Sequence, residues 1–509
     1  MVVHTSTGLG SEKIATAPMN RRSFLFSTLA AAPSFAQKAM DPAPPSVVKP
    51  SGKAAKAKDN PDVKFHKAPT SLSKDAVTHD WTSFLGPTHN AYSTETKILK
   101  QFPSSGPPLV WEVSKGTSYS SPAIAGDKLV FFHRRGNLEL VECLHPESGK
   151  KYWQHTYPTE FADRYGYNNG PRASPVIDGD RVYTMGAQGK FHCLDLTNGQ
   201  VLWKRDLQAE FKIPQDFFGM ASTPLLDEDQ LIVNVGAPGG PTVAAFDKMT
   251  GRMKWGSGKE WGPSYASPIP ATVHGKKRVF VFAGGESKPP TGGLIMLDPA
   301  TGAIDFTFPW RSKSYESVNA SCPVIFGNNV FISASYKTGG AMLEITPDFK
   351  ARTMWTSADF GMHFQTPIHK DGYLYGFDGR NEPDATLACC EAKTGKIVWR
   401  VNPEWMDKIN ANGQMQERLM STYRGTLLHV EGRFLALGEM GHLLWMELTP
   451  QGYKEASRAW LFGSGNLGAA GVEPWPVVYR TEFRQHATAA MLRHAREIVS
   501  REQVAEAAA

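Results

Sequence analysis

The chain has 509 residues and a formal net charge of +6, with 47 glycines, 36 prolines and 13 tryptophans. This length permits a large core but exceeds a typical single domain unless the architecture is repetitive, and the composition favours short strands joined by turns. Residues 1–78 carry eleven Lys and Arg against five Asp and Glu, so the remaining 431 residues are neutral overall. A neutral body lacks the basic surface of a nucleic-acid-binding protein, and we exclude that class of partner.

The N-terminus is typical of an export signal. Arg21 and Arg22 precede a short apolar run, and Ser34-Phe35-Ala36 supplies a small-x-small cleavage motif. The run is too short for a permanent membrane anchor. We therefore predict a twin-arginine signal peptide over residues 1–36 and export of the folded protein to the periplasm or beyond. A chance arginine pair beside an apolar patch is the alternative.

The residues after the signal predict a tether without further anchors. Residues 37–78 are rich in Pro, Lys and Ala, which indicates a disordered linker. No cysteine precedes Cys143, so we expect no lipid anchor. Nothing later in the chain is long and apolar enough to predict a membrane span.

One block recurs along the chain with a period of about fifty residues. Each copy opens with a motif in which one or two small residues precede a proline. These motifs begin at Ser120, Ala173, Ser222, Ala266, Ser321 and Thr366. Each copy closes with a Gly-containing turn and then an aromatic residue, at Trp153, Trp203, Trp255, Phe306 and Trp399, with less regular copies ending at Trp355 and Trp460. Between these marks lie apolar runs of four to six residues broken by Gly-Asp or Asp-Gly pairs, which predict strands linked by hairpins.

The repeat predicts an all-β fold. A single four-stranded sheet cannot cover its two faces, whereas a ring of such sheets buries each face against a neighbour. We predict a β-propeller of four-stranded antiparallel blades over residues 79–462, with seven recognisable blades and an incomplete eighth represented mainly by the strand that holds Trp111. Residues 463–509 read as a divergent tail with a short C-terminal helix.

The openers and closers resemble the repeat of the pyrroloquinoline-quinone-like (PQQ-like) propeller superfamily. That superfamily includes the quinoprotein dehydrogenases and the BamB-like propeller of outer-membrane assembly. The resemblance covers roughly residues 80–460. It implies a propeller and leaves activity open, because function resides in sites rather than in folds.

Adjacent cysteines occur at Cys389 and Cys390. In quinoprotein dehydrogenases, which the repeat resembles, such a pair lies in a loop over the cofactor. Here the repeat aligns Cys389 with Cys143 and Cys193, and it aligns Cys390 with two leucines. Since successive strand side chains point to opposite faces, we predict that both cysteines pack inside a blade strand. A strained 389–390 disulfide stays open as an alternative in an oxidising compartment.

The loop before each first strand should project at the mouth of the central channel. The predicted mouth is aromatic, with a few polar groups and two arginines, and such a mixture binds flat, polar or anionic molecules. Channel plugging by the aromatic residues is the structural alternative. Arg172 is the preferred ligand-facing residue, and we expect its replacement by alanine to weaken binding with little loss of stability. The candidate cofactor- or ligand-binding residues are Tyr119, Arg172, Tyr265, Asn319, His363, Gln365 and Arg424.

The resemblance to quinoproteins implies calcium, a catalytic aspartate and pyrroloquinoline quinone. Glu316 with Asn319 is the one carboxylate–amide pair at the predicted mouth and provides weak calcium candidates. No catalytic residue is assigned, since the aspartates fall in turns, and no covalent haem motif occurs. We therefore expect a ligand-binding or protein-assembly platform whose partner is a protein or small molecule. A dehydrogenase using pyrroloquinoline quinone with calcium to oxidise an alcohol or sugar is the alternative.

Overall fold

A computed structural model describes residues 41–461 and 476–480, apart from 104–105, 216, 381–384, 412–413 and 440. The predicted signal peptide and C-terminal helix lie outside these residues. Three short strands come first in the chain: β1 (Val63–Phe65), β2 (Tyr92–Ser93) and β3 (Leu109–Ser114).

The next four units are four-stranded antiparallel sheets. The first two contain β4 (Ala123–Ala125), β5 (Lys128–Arg135), β6 (Leu138–Leu144), β7 (Lys151–Pro158), then β8 (Val176–Asp178), β9 (Arg181–Met185), β10 (Lys190–Asp195) and β11 (Val201–Asp206). A five-residue helix, α1 (Leu207–Phe211), follows. The third and fourth sheets contain β12 (Leu225–Asp227), β13 (Gln230–Asn234), β14 (Val243–Asp247), β15 (Met253–Ser257), then β16 (Ile269–Val273), β17 (Lys276–Ala283), β18 (Gly293–Leu297) and β19 (Ile304–Pro309).

The remaining strands complete seven such units and add a hairpin. The fifth and sixth sheets contain β20 (Val324–Phe326), β21 (Asn329–Ala334), β22 (Gly339–Ile345), β23 (Ala351–Ser357), then β24 (Ile368–Lys370), β25 (Tyr373–Asp378), β26 (Thr386–Glu391) and β27 (Ile397–Val401). The hairpin is β28 (Glu404–Ala411) with β29 (Gln414–Ser421). The seventh sheet contains β30 (Thr426–Val430), β31 (Arg433–Leu437), β32 (His442–Thr449) and β33 (Gly452–Trp460), and the last strand is β34 (Pro476–Arg480).

The strand register repeats from sheet to sheet. In each sheet the third and fourth strands carry a bulge, immediately after the third-strand residue that opposes the closing position. The bulges follow Cys143, Cys193, Ala245, Met296, Met342, Cys389 and Trp445. This equivalence confirms the alignment of the three cysteines. It also shows that Ser457, opposite Trp445, takes the closing position of the seventh sheet in place of Trp460.

Where the closing residue is tryptophan, it joins its sheet to the next. Trp153 Nε1 donates to the Leu196 carbonyl at 2.8 Å, and its ring lies on Gly199, whose φ is 78°. A Cβ at Gly199 would lie 2.6 Å from the ring, so the turn requires glycine both for its conformation and for this contact. The same bond runs from Trp111, Trp203, Trp255, Trp355 and Trp399 to the carbonyls of Pro146, Lys248, Pro299, Ala392 and Thr449.

Hydrogen bonds also connect the first strands around the hub. The residue before each opening proline donates its backbone N–H to the side chain of the equivalent residue in the next sheet. The bonds are Ser121 to Ser174, Ser174 to Thr223, Thr223 to Ser267, Ser267 to Cys322 and Cys322 to Thr366, with lengths of 3.0–3.3 Å. Sequential docking of sheets in this way is a β-propeller, as the repeat predicted.

The N-terminal strands connect to the end of the chain. β2 pairs in parallel with β30 and gives the seventh sheet a fifth strand, and Phe102 N–H donates to Ser457 Oγ at 2.8 Å. β1, β3 and β34 form a three-stranded sheet. The predicted contribution of the Trp111 strand to a sheet shared with the C-terminal region is therefore present. An eighth sheet of four strands is not shown by the described residues.

The predicted tether differs from expectation. From residue 41 onward the chain lies along the outer strands: Val48 N–H donates to Leu202 O, Ala55 N–H donates to Thr197 O, and Lys58 bridges to Lys151. Asp41 accepts two hydrogen bonds from Arg205, at 2.6 and 3.1 Å. Composition indicated disorder because the segment is rich in Pro, Lys and Ala, but edge strands with unpaired backbone groups supply hydrogen bonds that do not depend on side-chain type. No helix in the part of the chain that the structure describes is long and apolar enough to span a membrane.

Candidate functional site

The loops before the first strands surround one pocket at the hub, which we call the mouth pocket. Its lining residues are Tyr119, Tyr165, Tyr167, Arg172, Phe218, Ala221, Tyr265, Glu316, Ala320, Tyr336, His363, Phe364 and Arg380, and its volume is about 170 Å³. Seven of these thirteen residues are Tyr or Phe. Of the seven predicted candidates, the pocket brings together Tyr119, Arg172, Tyr265 and His363.

A short polar turn positions the aromatic residues on one side of the pocket. The Asp163 carboxylate accepts hydrogen bonds from Tyr165 N–H at 2.9 Å and Asn168 N–H at 3.3 Å. These bonds hold the Tyr165 and Tyr167 rings stacked, with centroids 5.9 Å apart. Phe218 contacts both tyrosines and meets Tyr265 edge-on at 5.5 Å. The wall is thus a packed aromatic cluster.

Arg172 has a structural role that the sequence did not indicate. Its side chain is only 4% exposed, and its Nη2 atom lies 2.6 Å from Asp163 Oδ2. It also donates to the carbonyls of Gly170 and Asn168, at 2.9 and 2.8 Å. The guanidinium lies about 5 Å from the ring centres of Tyr119 and Phe161. The guanidinium therefore anchors the loop that forms the pocket wall, and the expectation of a small effect on stability is inconsistent with this geometry.

Three predicted candidates lie behind the wall. Asn319 Nδ2 donates to the carbonyls of Ala283 and Trp310, at 3.0 and 3.2 Å. Gln365 Oε1 accepts from Phe377 N–H at 3.0 Å. Arg424 Nε donates to Glu439 at 2.6 Å. All three side chains are buried and bond to neighbouring strands or loops, so the structure places them in support of the mouth loops.

Sequence reasoning missed Tyr336 and Arg380. Both lie in loops between the second and third strands, of the fifth and sixth sheets respectively. In an antiparallel sheet the second strand ends beside the start of the first, so this loop lies at the same end as the loop before the sheet. The strand order of the repeat was therefore the signal that could have indicated Tyr336 and Arg380, because it places both loops of each sheet at the mouth.

The pocket rim carries charge of both signs. Glu316 and Arg380 are exposed, and the Arg380 guanidinium lies 4.2 Å from the centre of the Tyr336 ring. Burial, followed by the negative charge of Glu316, raises the pKa of the Tyr165 hydroxyl. An ion pair, Arg164 with Glu286 at 2.6 Å, lies near the rim, and Glu286 also accepts a hydrogen bond from Tyr315. That hydrogen bond is the main cause of the raised pKa of Tyr315.

The cysteine doublet lies within β26, away from the pocket. Cys389 and Cys390 are free and fully buried, and they belong to the hydrophobic clusters on opposite faces of the sixth sheet. Burial raises the pKa of Cys389 to about 11 and of Cys390 to about 12. The predicted placement of both cysteines inside a blade strand is confirmed.

The residues present do not fit calcium and pyrroloquinoline quinone. Calcium requires six to eight oxygen ligands. Glu316 is the one carboxylate in the pocket lining, and the Asn319 amide is bonded to backbone behind it. Within the described ranges no group of three His, Cys, Asp or Glu side chains is placed to hold a metal ion. The quinone carries several carboxylates, and of the two arginines in the lining, Arg172 is already paired with Asp163.

Comparisons with known proteins give a family and a fold. The sequence profile of the family described as "Outer membrane protein assembly factor BamB" matches residues 137–401. No curated protein matches in sequence.

Three solved structures are similar to the chain. A europium-containing methanol dehydrogenase has a TM-score of 0.50 and 13% identity, covering 75% of this chain and 86% of its own. Quinohemoprotein alcohol dehydrogenase from Comamonas testosteroni has a TM-score of 0.50 and 12% identity, covering 76% and 74%. BamB from Moraxella catarrhalis has a TM-score of 0.46 and 16% identity, covering 74% and 95%. At these identities the first two likenesses show the propeller fold alone.

Proposed function

Because the chain belongs to the family described as outer membrane protein assembly factor BamB, whose profile matches half of it, we propose that it is an exported binding platform. The mouth pocket is its binding site, and the recognised chemistry is a flat aromatic group. That group belongs either to a small molecule or to the side chain of a protein partner.

The aromatic wall of the mouth pocket carries this proposal. Tyr165, Tyr167, Phe218 and Tyr265 form a connected set of ring contacts. The buried pair of Arg172 and Asp163 holds the loop that carries Tyr165 and Tyr167. Offset-stacked and edge-to-face geometries are the preferred ring contacts. A concave site with fixed rings binds a further ring at little conformational cost, because its own side chains are already ordered.

The dehydrogenase alternative is less well supported by the same residues. A quinoprotein active site needs converging oxygen ligands and a group that accepts the substrate proton. The doublet of Cys389 and Cys390 is buried in a strand, and the mouth pocket has one carboxylate at its rim. We derive no catalytic step from this arrangement.

Export is part of the proposal. Arg21 and Arg22 precede an apolar run and a cleavage motif, which is the order of a twin-arginine signal. Replacing both arginines with lysine should reduce the exported fraction strongly while the precursor still folds. The measurement is fractionation of cells that produce either form, followed by immunodetection. Equal export of the two forms would contradict this part of the proposal.

The test of the binding site uses 5-fluoroindole, a neutral flat probe, observed by fluorine NMR. We expect saturable line broadening with the wild-type protein and its loss in Phe218→Ala. Phe326→Ala removes a half-buried phenylalanine that does not line the pocket and serves as the matched control. No broadening, or equal broadening in Phe218→Ala, would refute the mouth pocket as the binding site.

A second arm separates binding from catalysis. Purified protein receives pyrroloquinoline quinone and calcium, and dye-linked oxidation of alcohols and sugars is followed. We expect no turnover above the protein-free control. Stoichiometric uptake of the quinone together with turnover would refute the proposal of a binding platform and support the dehydrogenase.

A further inference from the structure

Two charged side chains at the rim of the mouth pocket have no counter-charge among the described residues. Glu316 makes no side-chain hydrogen bond or ion pair with any described residue. The Arg380 guanidinium contacts the Tyr336 ring at 4.2 Å, and it too forms no hydrogen bond or ion pair within the described chain. In contrast, Arg172 with Asp163 and Arg164 with Glu286 form ion pairs in this region, each with a nitrogen–oxygen distance of 2.6 Å.

The residues that carry the two charges both contact Tyr336. Tyr336 Oη donates to the Glu316 backbone carbonyl at 3.0 Å, and Arg380 lies over the face of the same ring. Glu316 and Arg380 therefore both adjoin Tyr336, and both line the opening of a pocket whose interior is aromatic. The charges of Glu316 and Arg380 sum to zero, so this pair by itself favours neither a simple anion nor a simple cation.

This arrangement is complementary to a particular kind of molecule. Resting on the function proposed above, we propose that the mouth pocket binds a free α-amino acid with a flat aromatic side chain. The ring lies against the Tyr165, Tyr167 and Phe218 rings, the ammonium group pairs with Glu316, and the carboxylate pairs with Arg380. Charge-assisted hydrogen bonds of this kind are the strong ones, and arginine matches carboxylate geometry.

The size of the pocket agrees with such a ligand. Its volume of about 170 Å³ lies below the roughly 300–1,000 Å³ of pockets that enclose drug-sized molecules. An amino acid places a single ring inside and leaves its charged head at the surface. An aromatic residue within a protein chain has the same ring but lacks both head charges, and this difference distinguishes the two sources of the ring.

The experiment is calorimetric titration of the full chain with four matched probes. L-Phenylalanine carries both charges, and N-acetyl-L-phenylalaninamide carries neither. Phenethylamine carries only the positive charge, and 3-phenylpropionate carries only the negative charge. We expect L-phenylalanine to bind at least about tenfold more tightly than the other three, because it alone makes both charge-assisted contacts.

Two variants assign the charges. Glu316→Gln should weaken L-phenylalanine binding about tenfold and leave 3-phenylpropionate unchanged. Arg380→Gln should weaken L-phenylalanine and 3-phenylpropionate about tenfold and leave phenethylamine unchanged. Glu344→Gln and Arg352→Gln alter an exposed ion pair of the fifth sheet outside the pocket and are the matched controls.

The outcomes separate this inference from the function on which it rests. If all four probes bind equally, or if both variants keep wild-type affinity for L-phenylalanine, the amino-acid inference is overturned. It is also overturned if L-phenylalanine fails to bind while 5-fluoroindole still binds in a Phe218-dependent manner, and the binding platform then stands. If neither probe binds, both proposals fail.

Discussion

Arg172 and Asp163 form a buried ion pair, with 2.6 Å between Nη2 and Oδ2, directly behind the aromatic wall of the mouth pocket. Asp163 also accepts the backbone hydrogen bonds of the Tyr165 turn, so one carboxylate holds both the arginine and the loop. The shape of the pocket therefore depends on this pair even where a ligand contacts only the rings.

Loss of the arginine should destabilise the protein. Arg172→Ala leaves Asp163 buried without its partner, and breaking a buried pair in this way costs about 3–5 kcal/mol. Denaturant unfolding monitored by tryptophan fluorescence measures the change. Arg352→Ala, in an exposed pair, should cost less than about 1 kcal/mol. A similar small cost for Arg172→Ala would show that the pair does not anchor the loop.

The closing tryptophans should contribute most to the stability of the ring. Trp203 is 1% exposed and lies on Gly251 of the next sheet, so Trp203→Ala should lower the free energy of unfolding by about 3–5 kcal/mol. Trp460 is 36% exposed, and the same substitution there should have a much smaller effect. Thermal and denaturant unfolding of both variants test this contrast. Equal losses would contradict the docking role that we assign to the closing position.

The cysteines should be present as thiols and unreactive in the native state. All five are buried and free, and burial raises the pKa of Cys389 and Cys390, so little thiolate exists at neutral pH. We expect a thiol reagent to modify none in the folded protein and five after denaturation without reductant. A count of three after denaturation would show a disulfide between Cys389 and Cys390.

Asp41 should make the docking of the N-terminal segment depend on pH. Burial tends to raise the pKa of Asp41, but the hydrogen bonds from Arg205 and the Met253 N–H outweigh burial and lower it below the usual value of 3.8. A carboxyl group with a lowered folded pKa contributes stability that is present above its unfolded pKa and is lost as pH falls through its folded pKa.

The difference in unfolding free energy between wild type and Asp41→Asn should therefore be constant above about pH 5 and shrink below pH 4. Denaturant titrations at a series of pH values measure it. Asp59→Asn, at an exposed pair with Lys150, is the control. A difference that does not change with pH would show that the Asp41 contact with Arg205 is not formed in solution.

The sequence by itself determined the repeat and most of the strands. Each copy of the repeat must form hairpins and bury both faces of its sheet. The same features therefore recur in the copies: Gly-Asp hairpins, closing aromatic residues, and openers with a small residue before proline. The positions of the mouth loops followed from the same period, and so did the cysteine alignment, since equivalent strand positions point to equivalent faces.

The tertiary structure alone decided what the mouth loops do. Arg172 and Arg380 both lie at the mouth, yet Arg172 forms an ion pair with Asp163, whereas Arg380 has no counter-charge in the described chain. No local sequence pattern distinguishes the two arginines. The docking of the segment after Asp41 and the hairpin of β28 and β29 were likewise unpredicted. They depend on which backbone edges and charges the folded sheets leave available, and those are defined only when distant parts of the chain have been brought together.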